Sequence, residues 1–297
     1  MAAGAVFAFL SALGFGSGQV LVRIATQQLP VPLVALLAVS TATLLNLCLA
    51  LVLDFQGVKA LSLEPILWLG FIGGLAVVGG RLLNFNAINM VGATRAAPFS
   101  SSSPVFAAAL AIAFLGERPG LLVGLGTPVV VCGLTLVALG GARGTGASGM
   151  TPRKLGYLLA VMAAVSFATV SVAGKHVVSD FTTPLVASAI SLLLGMSLLS
   201  IVAGRDVIRG MRRPLPKYVL VCLFAGMLQG LAQLSLLESL SRADVTMVTP
   251  IYASSPLVTL ILAHFFLRRL ERINLFVVGG TFFTIGGVTL VLVGMAS

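Results

Sequence analysis

One basic side chain lies deep inside an apolar stretch of the sequence. Arg81, in VVGGRLLNFNAIN, follows Pro65 by 16 residues and precedes Met90 by nine. At about 1.5 Å per residue it lies within roughly 6 Å of the middle of a membrane-spanning helix. Charges at that depth are expensive and mark functional sites. The guanidinium fork fits a carboxylate or a phosphate, so we predict an anion-binding role, with packing against helix carbonyls as the alternative.

Amide, aromatic and hydroxyl side chains could complete a polar cavity around this arginine. Gln229 and Gln233 lie four residues apart, on one face of a helix. For each amide the alternative is a hydrogen bond between helices, and for Tyr252 it is an anchor at the membrane interface. The predicted substrate-binding residues are Arg81, Asn84, Gln229, Gln233, Tyr252, Ser102 and Ser103.

The positions of the acidic residues also bear on the available chemistry. All eight lie at the ends of apolar stretches or between them, so no carboxylate is predicted at mid-membrane. Proton-driven efflux of a cationic drug would normally use such a carboxylate. The three cysteines lie inside apolar stretches, where a free thiol behaves as a small hydrophobe. We expect no metal, no cofactor and no enzymatic activity.

Composition identifies the elements that must position these side chains. Of the 297 residues, 58% are hydrophobic and only 9% are charged, whereas about a quarter are charged in soluble domains. Apolar runs of about 20 residues, the length that spans a bilayer, recur along the chain. They cover residues 3–23, 32–53, 65–90, 95–115, 120–140, 155–176, 184–203, 217–240, 245–267 and 273–294. We predict an all-α membrane protein with ten transmembrane helices.

The chain is built as two copies of one unit. PLVA occurs at 32–35 and again at 184–187, an offset of 152 residues. The same offset pairs Phe15 with Phe167 and Arg23 with Lys175, and after residue 115 it becomes 154. The predicted units are residues 1–141 and 155–297, joined by the Gly-rich linker 142–154. Five helices in each unit would make the repeats inverted, an arrangement found in many secondary transporters.

Serine and proline cluster where the fourth helix of each unit begins. The segment APFSSSSPVF is paired by the repeat with TPIYASSPLV. Proline removes a backbone donor and interrupts a helix, and serine hydroxyls can satisfy the freed carbonyls inside a membrane. We predict helix breaks, acting as hinges or as gates, at Pro98, Pro104, Pro250 and Pro256.

Basic residues predict the orientation in the membrane. Loops after odd-numbered helices carry thirteen Lys and Arg residues, whereas loops after even-numbered helices carry four. Because basic loops favour the cytoplasm, this count places both termini outside. The net charge of +10 is explained by topology and by attraction to anionic lipid, so no nucleic-acid partner is expected. The oligomeric state stays open, a monomer included.

The paired segments resemble a known family. NAINMVGATRAAPFSSSSPVFAAALAIAFLGER (86–118) and ESLSRADVTMVTPIYASSPLVTLILAHFFLRRLER (238–272) are similar to the EamA-type family of the drug/metabolite transporter superfamily. The resemblance implies a ten-helix exporter or exchanger of metabolites, amino acids among them, in the cytoplasmic (inner) membrane. Family members commonly have both termini in the cytoplasm, opposite to the charge count. The second unit also departs from the motif, with FLRRLER in place of FLGER.

Three functions remain to be distinguished. The leading hypothesis is secondary transport of a small anionic or zwitterionic metabolite, such as an amino acid or organic acid, by alternating access around a central cavity. The second is multidrug efflux by the same fold, which seventeen phenylalanines leave open. The third is a membrane enzyme acting on lipid-borne substrates, which two separated histidines and scattered acids do not favour.

Overall fold

The structure is a computed structural model that describes residues 2–91, 99, 102–142, 154–210, 216–266 and 275–296. Two of the sequence predictions, the break at Pro98 and most of the linker (143–153), lie outside these residues. For Arg81 the helix backbone is described and the side chain is not. Within the described residues the regular elements are all helical.

The first half of the chain is helical throughout the regular elements that the structure describes there. The α-helices are α1 (Ala2–Thr26), α2 (Val31–Leu53), α3 (Phe55–Lys59), α4 (Leu63–Gly74), α5 (Leu83–Val91), α6 (Ser103–Leu110) and α7 (Leu121–Ala142). Two π-helical segments, Leu75–Leu82 and Ala111–Leu115, continue α4 and α6. Neither these wider turns nor the short α3 follow from the apolar pattern.

The second half has a similar but not identical order of described elements, with one continuous helix in place of α4, its π-helical segment and α5. It contains α8 (Lys154–Asp180), α9 (Pro184–Gly210), α10 (Pro216–Arg242), α11 (Val245–Tyr252), α12 (Ser255–Phe266) and α13 (Leu275–Ala296). The apolar stretch 245–267, in which the sequence predicts breaks at Pro250 and Pro256, contains two helices separated by a turn at Ala253 and Ser254. Most of the other described elements begin and end within a few residues of the predicted stretches. The exceptions are α3, which no apolar stretch predicts, α6, which begins at Ser103 rather than at residue 95, and α9, which runs on to Gly210.

Length and composition identify a multi-pass membrane protein. In the part of the chain that the structure describes, seven helical stretches are long and apolar enough to cross a bilayer. Three shorter apolar stretches, Leu63–Val77, Ser103–Leu115 and Leu121–Val137, lie at the positions of the remaining predicted spans. Large apolar side chains such as Phe114, 77% exposed, cover the outer surface, as expected where lipid is the solvent.

The two halves pack through equivalent contacts. Helix α1 contacts α10, and its counterpart α8 contacts α4 and α5. Helix α1 also contacts α12, as α8 contacts α6, while α2 packs on α9 and α7 packs on α13. Each of these contacts between the halves is thus matched by the contact between their counterparts. This exchange is what two copies related by an approximate two-fold axis produce.

Hydrogen bonds and core contacts define the two ends of the bundle. At one end, named the Asp180 end, the Thr183 hydroxyl donates to the Asp54 carboxylate over 2.5 Å, joining the turns after α2 and α8. At the other, named the Gln28 end, Leu29 packs in a cluster with Cys222 near the start of α10. The buried core lies mainly in the half of the bundle toward the Asp180 end.

Helices α7 and α13 approach each other through glycine. A Cβ added at Gly133 would lie 2.7 Å from the Gly280 carbonyl oxygen and 2.5 Å from the Thr284 nitrogen. Small residues of this kind allow helix backbones to touch inside a membrane. The same helix carries a glycine at position 124 whose Cβ would meet nothing within 4 Å among the described residues.

The variant Gly133→Ala should destabilise the fold. The added methyl group has no space between the two backbones, so we expect a loss of about 1–3 kcal/mol, the usual cost of overpacking. Thermal unfolding of the detergent-solubilised protein measures the effect. Gly124→Ala is the matched control and should melt within a degree or two of the parent. Equal melting temperatures for both variants would contradict the close packing of α7 on α13.

Candidate functional site

A cavity of about 260 Å³ lies between the two halves, at the middle of the bundle. It extends from mid-helix positions toward the Gln28 end, because its lining includes Thr26 at the end of α1 and Ala35 near the start of α2. The residues that line it are Phe15, Gln19, Val22, Thr26, Ala35, Ala38, Asn84, Phe167, Gln229 and Tyr252. Both repeats contribute, so the site exists only once the two halves have packed.

Aromatic rings form part of the cavity wall. Phe15 and Phe167 are equivalent in the repeat, and both line the cavity. The Tyr252 ring meets Phe15 edge to face, with ring centroids 5.6 Å apart. The phenolic oxygen makes Tyr252 the member of this group that can also donate or accept a hydrogen bond. The rings therefore offer a ligand both apolar contact and stacking.

The cavity collects some of the predicted polar residues and leaves out others. Asn84, Gln229 and Tyr252 line it, together with Gln19, which the sequence did not single out. Gln233 lies one helical turn from Gln229, farther toward the Asp180 end, and is not part of the lining. One turn of α10 thus separates a glutamine that lines the cavity from one that does not.

The backbone at Arg81 lies in the π-helical segment, pressed against α8. A Cβ added at Gly79 would lie 2.6 Å from the Ser166 hydroxyl oxygen. A Cβ added at Gly80 would overlap the ring of Phe167, which lines the cavity. The two glycines therefore let this turn approach α8 closely, and π-helical turns of this kind are frequent at functional sites.

Serine hydroxyls hold the helix breaks in both halves. The Ser102 hydroxyl donates to the Phe99 carbonyl over 2.5 Å, and the Ser254 hydroxyl donates to the Ile251 carbonyl over 2.6 Å. The two bonds are equivalent under the 152-residue offset. In each half the accepting carbonyl lies five residues before the proline, Pro104 or Pro256. A proline leaves the carbonyl four residues before it without its helical partner, so the serine bonds to the carbonyl one residue earlier. Neither Ser102 nor Ser103 lines the cavity.

The prolines occupy different positions in these helices. Pro104 and Pro256 each lie at the second residue of a helix, α6 and α12, where a missing N–H costs nothing. Pro250 lies inside α11. The last residue of this helix, Tyr252, lines the cavity. The interruption after Tyr252 places a helix end beside the site.

A buried polar pair was missed by the sequence reasoning. The Ser188 hydroxyl on α9 donates to the Asn46 side-chain oxygen on α2 over 3.0 Å, and both residues are fully buried. The Asn46 amide also donates to the Ala42 carbonyl. An asparagine within an apolar run is the signal that could have indicated this contact. With its hydrogen bonds made within the protein, the pair serves to join α2 to α9.

A larger groove lies elsewhere on the surface. Its volume is about 380 Å³, and the side chains around it are almost entirely apolar, including Trp68, Phe71 and Phe114. Phe71 and Phe114 are exposed on the outside of the bundle, the surface that faces lipid. The smaller central cavity is the better candidate site because it brings several polar groups together at the middle of the bundle. Among the described residues, no three His, Cys, Asp or Glu side chains are placed to hold a metal ion.

Comparison with known proteins adds to this geometry. Residues 2–139 and 154–293 each match the family described as "EamA-like transporter family". A solved structure titled "Crystal structure of protein" superposes with a TM-score of 0.79 over 100% of this chain and 99% of its own, at 18% sequence identity. At that identity the likeness concerns the fold alone. No curated protein matches the chain.

Proposed function

Because the chain belongs to the EamA-like transporter family of the drug/metabolite transporter superfamily, we propose that it transports a small anionic or zwitterionic metabolite, such as an amino acid or organic acid. The observation that supports this is the central cavity. It lies between the two halves at the middle of the bundle, and its amides and aromatic rings line a space of about 260 Å³. Secondary transporters bind their substrates near the midplane, where their repeats meet.

Arg81 is proposed as the group that binds the substrate anion. Its backbone follows Gly80, which packs on the cavity residue Phe167, and it precedes the cavity residue Asn84 by three positions. Arg81 and Asn84 therefore lie within one helical turn of each other. A guanidinium near a small, partly apolar cavity would recognise a carboxylate through two parallel hydrogen bonds.

The size of the cavity favours a small solute. Binding sites for drug-sized ligands measure about 300–1,000 Å³, and this cavity is slightly below that range. Gln229, Asn84 and Gln19 supply donors and acceptors for the polar part of a metabolite, while Phe15 and Phe167 contact its apolar part.

Alternating access is the proposed mechanism. The cavity extends toward the Gln28 end, whereas the Asp180 half of the bundle is filled by a buried core. We propose that residues 1–141 and 155–297 are inverted repeats of five transmembrane helices each, joined by the linker 142–154. Exchanging the arrangements of the two repeats would then close one end of the cavity and open the other. The breaks at the prolines next to the cavity would act as hinges.

The proposed setting is the cytoplasmic membrane, with the protein acting as an exporter or exchanger. The excess of basic residues in loops at the Gln28 end favours a cytoplasmic position for that end. In this orientation the open cavity would receive solute from the cytoplasm, as an exporter requires.

Efflux of organic cations is the second candidate function. The Phe15, Phe167 and Tyr252 rings line the cavity, and aromatic faces attract cations, with a gain of about 0.5–2 kcal/mol per contact. Arg81 would oppose such a ligand through charge repulsion. The charge of the transported solute therefore decides between the two proposals.

Counterflow into vesicles tests the function directly. Purified protein in lipid vesicles preloaded with one unlabelled solute should accumulate the same solute carrying a radioactive label. The panel contains amino acids, dicarboxylates and organic cations such as tetraphenylphosphonium. We expect exchange of at least one amino acid or organic acid and none of the cations. Exchange of cations alone would favour the second candidate, and exchange of none would contradict both.

A further inference from the structure

A buried carboxylate joins the two halves at the Asp180 end. Glu117, in the turn after α6, is only 8% exposed. One of its oxygens accepts from the Val245 N–H over 2.7 Å, and the other accepts from the Thr246 N–H over 2.9 Å. These are the first two residues of α11, whose own N-cap residue, Asp244, makes no capping bond with its side chain. The first repeat therefore caps a helix of the second.

A lysine binds the same turn from another direction. Lys175, near the end of α8, is half-buried, and its ammonium group donates to the Ala243 carbonyl over 3.0 Å. The carboxylate thus satisfies N–H groups at the start of α11, while the ammonium satisfies a carbonyl just after the end of α10. Hydrogen bonds of charged groups are the stronger class. Three of the four residues 243–246 are thus bound by two oppositely charged side chains.

This turn leads directly into the packed core below the cavity. Val245 and Val248 on α11 are fully buried and belong to the core cluster that fills the Asp180 half. Helix α11 continues from there to Tyr252, a cavity residue. A displacement of α11 at its first turn would therefore open this core from the Asp180 end.

The packed arrangement also carries a cost at the same turn. The Thr246 hydroxyl is buried and has no hydrogen-bond partner among the described residues. A buried hydroxyl without a partner is destabilising, and contact with water would remove that penalty. Opening this end would therefore stabilise the Thr246 hydroxyl by hydrating it, and the hydrogen bonds of Glu117 and Lys175 oppose that opening.

We infer that Glu117 and Lys175 form a latch on residues 243–246 that keeps the Asp180 end closed, and that this latch must release for the cavity to reach that end. The inference rests on the proposed alternating access. Glu117 acts here as a positioning residue, since it does not line the cavity. Weakening the latch shifts the protein toward the state that is open at the Asp180 end.

Labelling of a single buried cysteine measures this opening. The reporter is Val248→Cys in a protein whose three native cysteines are replaced, and the probe is a charged, water-soluble maleimide. Glu117→Gln keeps the shape but offers only one acceptor to two N–H groups, so labelling should become about tenfold faster. Lys175→Gln should accelerate it severalfold. The matched control is Glu64→Gln, an exposed carboxylate at the same end, which should leave the rate unchanged.

A second reporter separates opening from unfolding. Val130 is fully buried where α7 packs on α13, so Val130→Cys should react at the same slow rate with and without Glu117→Gln. Equal labelling of Val248→Cys in the parent and in both latch variants would overturn the inference, as would faster labelling at both reporters. Counterflow is measured on the same preparations. A missing labelling effect in a protein that still exchanges solute contradicts the latch and leaves the proposed function standing.

Discussion

Replacing Arg81 by alanine should reduce exchange of an anionic or zwitterionic solute by about 100-fold or more. A hydrogen bond to a charged group contributes about 1.5–3 kcal/mol, and a bidentate arginine–carboxylate pair contains two such bonds. Loss of about 3 kcal/mol corresponds to roughly two orders of magnitude in affinity. Counterflow by the purified variant, at solute concentrations near those that half-saturate the parent protein, measures the loss.

The conservative variant separates charge from geometry. Arg81→Lys keeps a positive charge but not the planar fork that matches a carboxylate, so we expect an intermediate loss of about tenfold. Arg118→Ala removes an arginine that is exposed at the Asp180 end and serves as the control, with exchange within twofold of the parent. Normal exchange by Arg81→Ala would show that Arg81 serves packing, and the binding site would have to be assigned to the amides and aromatic rings alone.

Filling the mouth of the cavity should block transport without disrupting the fold. Ala35 lines the cavity near its Gln28 end and is half-buried. In Ala35→Trp the indole would occupy the space through which a solute enters, and we expect exchange to fall by at least about 50-fold. The reason is steric, because a bound solute and the indole cannot share a cavity below the usual size range of ligand sites.

A tryptophan on the outer surface is the matched control. Ala113 is exposed in the π-helical segment Ala111–Leu115, so Ala113→Trp adds the same side chain to the lipid-facing surface and should leave exchange within twofold of the parent. Thermal unfolding of both variants shows whether the fold is kept. An Ala35→Trp protein that melts like the parent and still exchanges solute would mean that the solute takes another path.

The proline-rich segments show how far local patterns reach. The sequence pairs Ser102 with Ser254 and predicts that both lie at helix breaks, and the structure places the same serine-to-carbonyl bond at both positions. Within the apolar stretch 245–267 the sequence predicts breaks at Pro250 and Pro256, and in the structure the turn at Ala253 and Ser254, between these prolines, separates α11 from α12. Hydrophobicity alone does not distinguish one continuous helix from two helices separated by a turn, since the residues on both sides of the turn are apolar.

The polar residues show where such patterns stop. Gln229 and Gln233 are indistinguishable in sequence, yet one lines the cavity and the other lies a turn away. The sequence predicts that Glu117 lies in a loop, whereas the structure buries it at the interface between the halves, where it accepts a hydrogen bond from the Val245 N–H. Phe15 and Phe167 were visible as a repeated pair, but their meeting at one cavity depends on how α1 and α8 are rotated.

By itself the sequence determined the apolar helices and the duplicated architecture. Lipid offers no partner for backbone groups, so each spanning segment must satisfy its own hydrogen bonds as a helix. That constraint acts locally and can be read from composition, and a repeat can be read from one fixed offset. Only the tertiary structure decided which end of the bundle is packed and which side chains meet. Those outcomes depend on helix rotation and on close approach at glycines, where about one turn moves a side chain from a cavity to an interface.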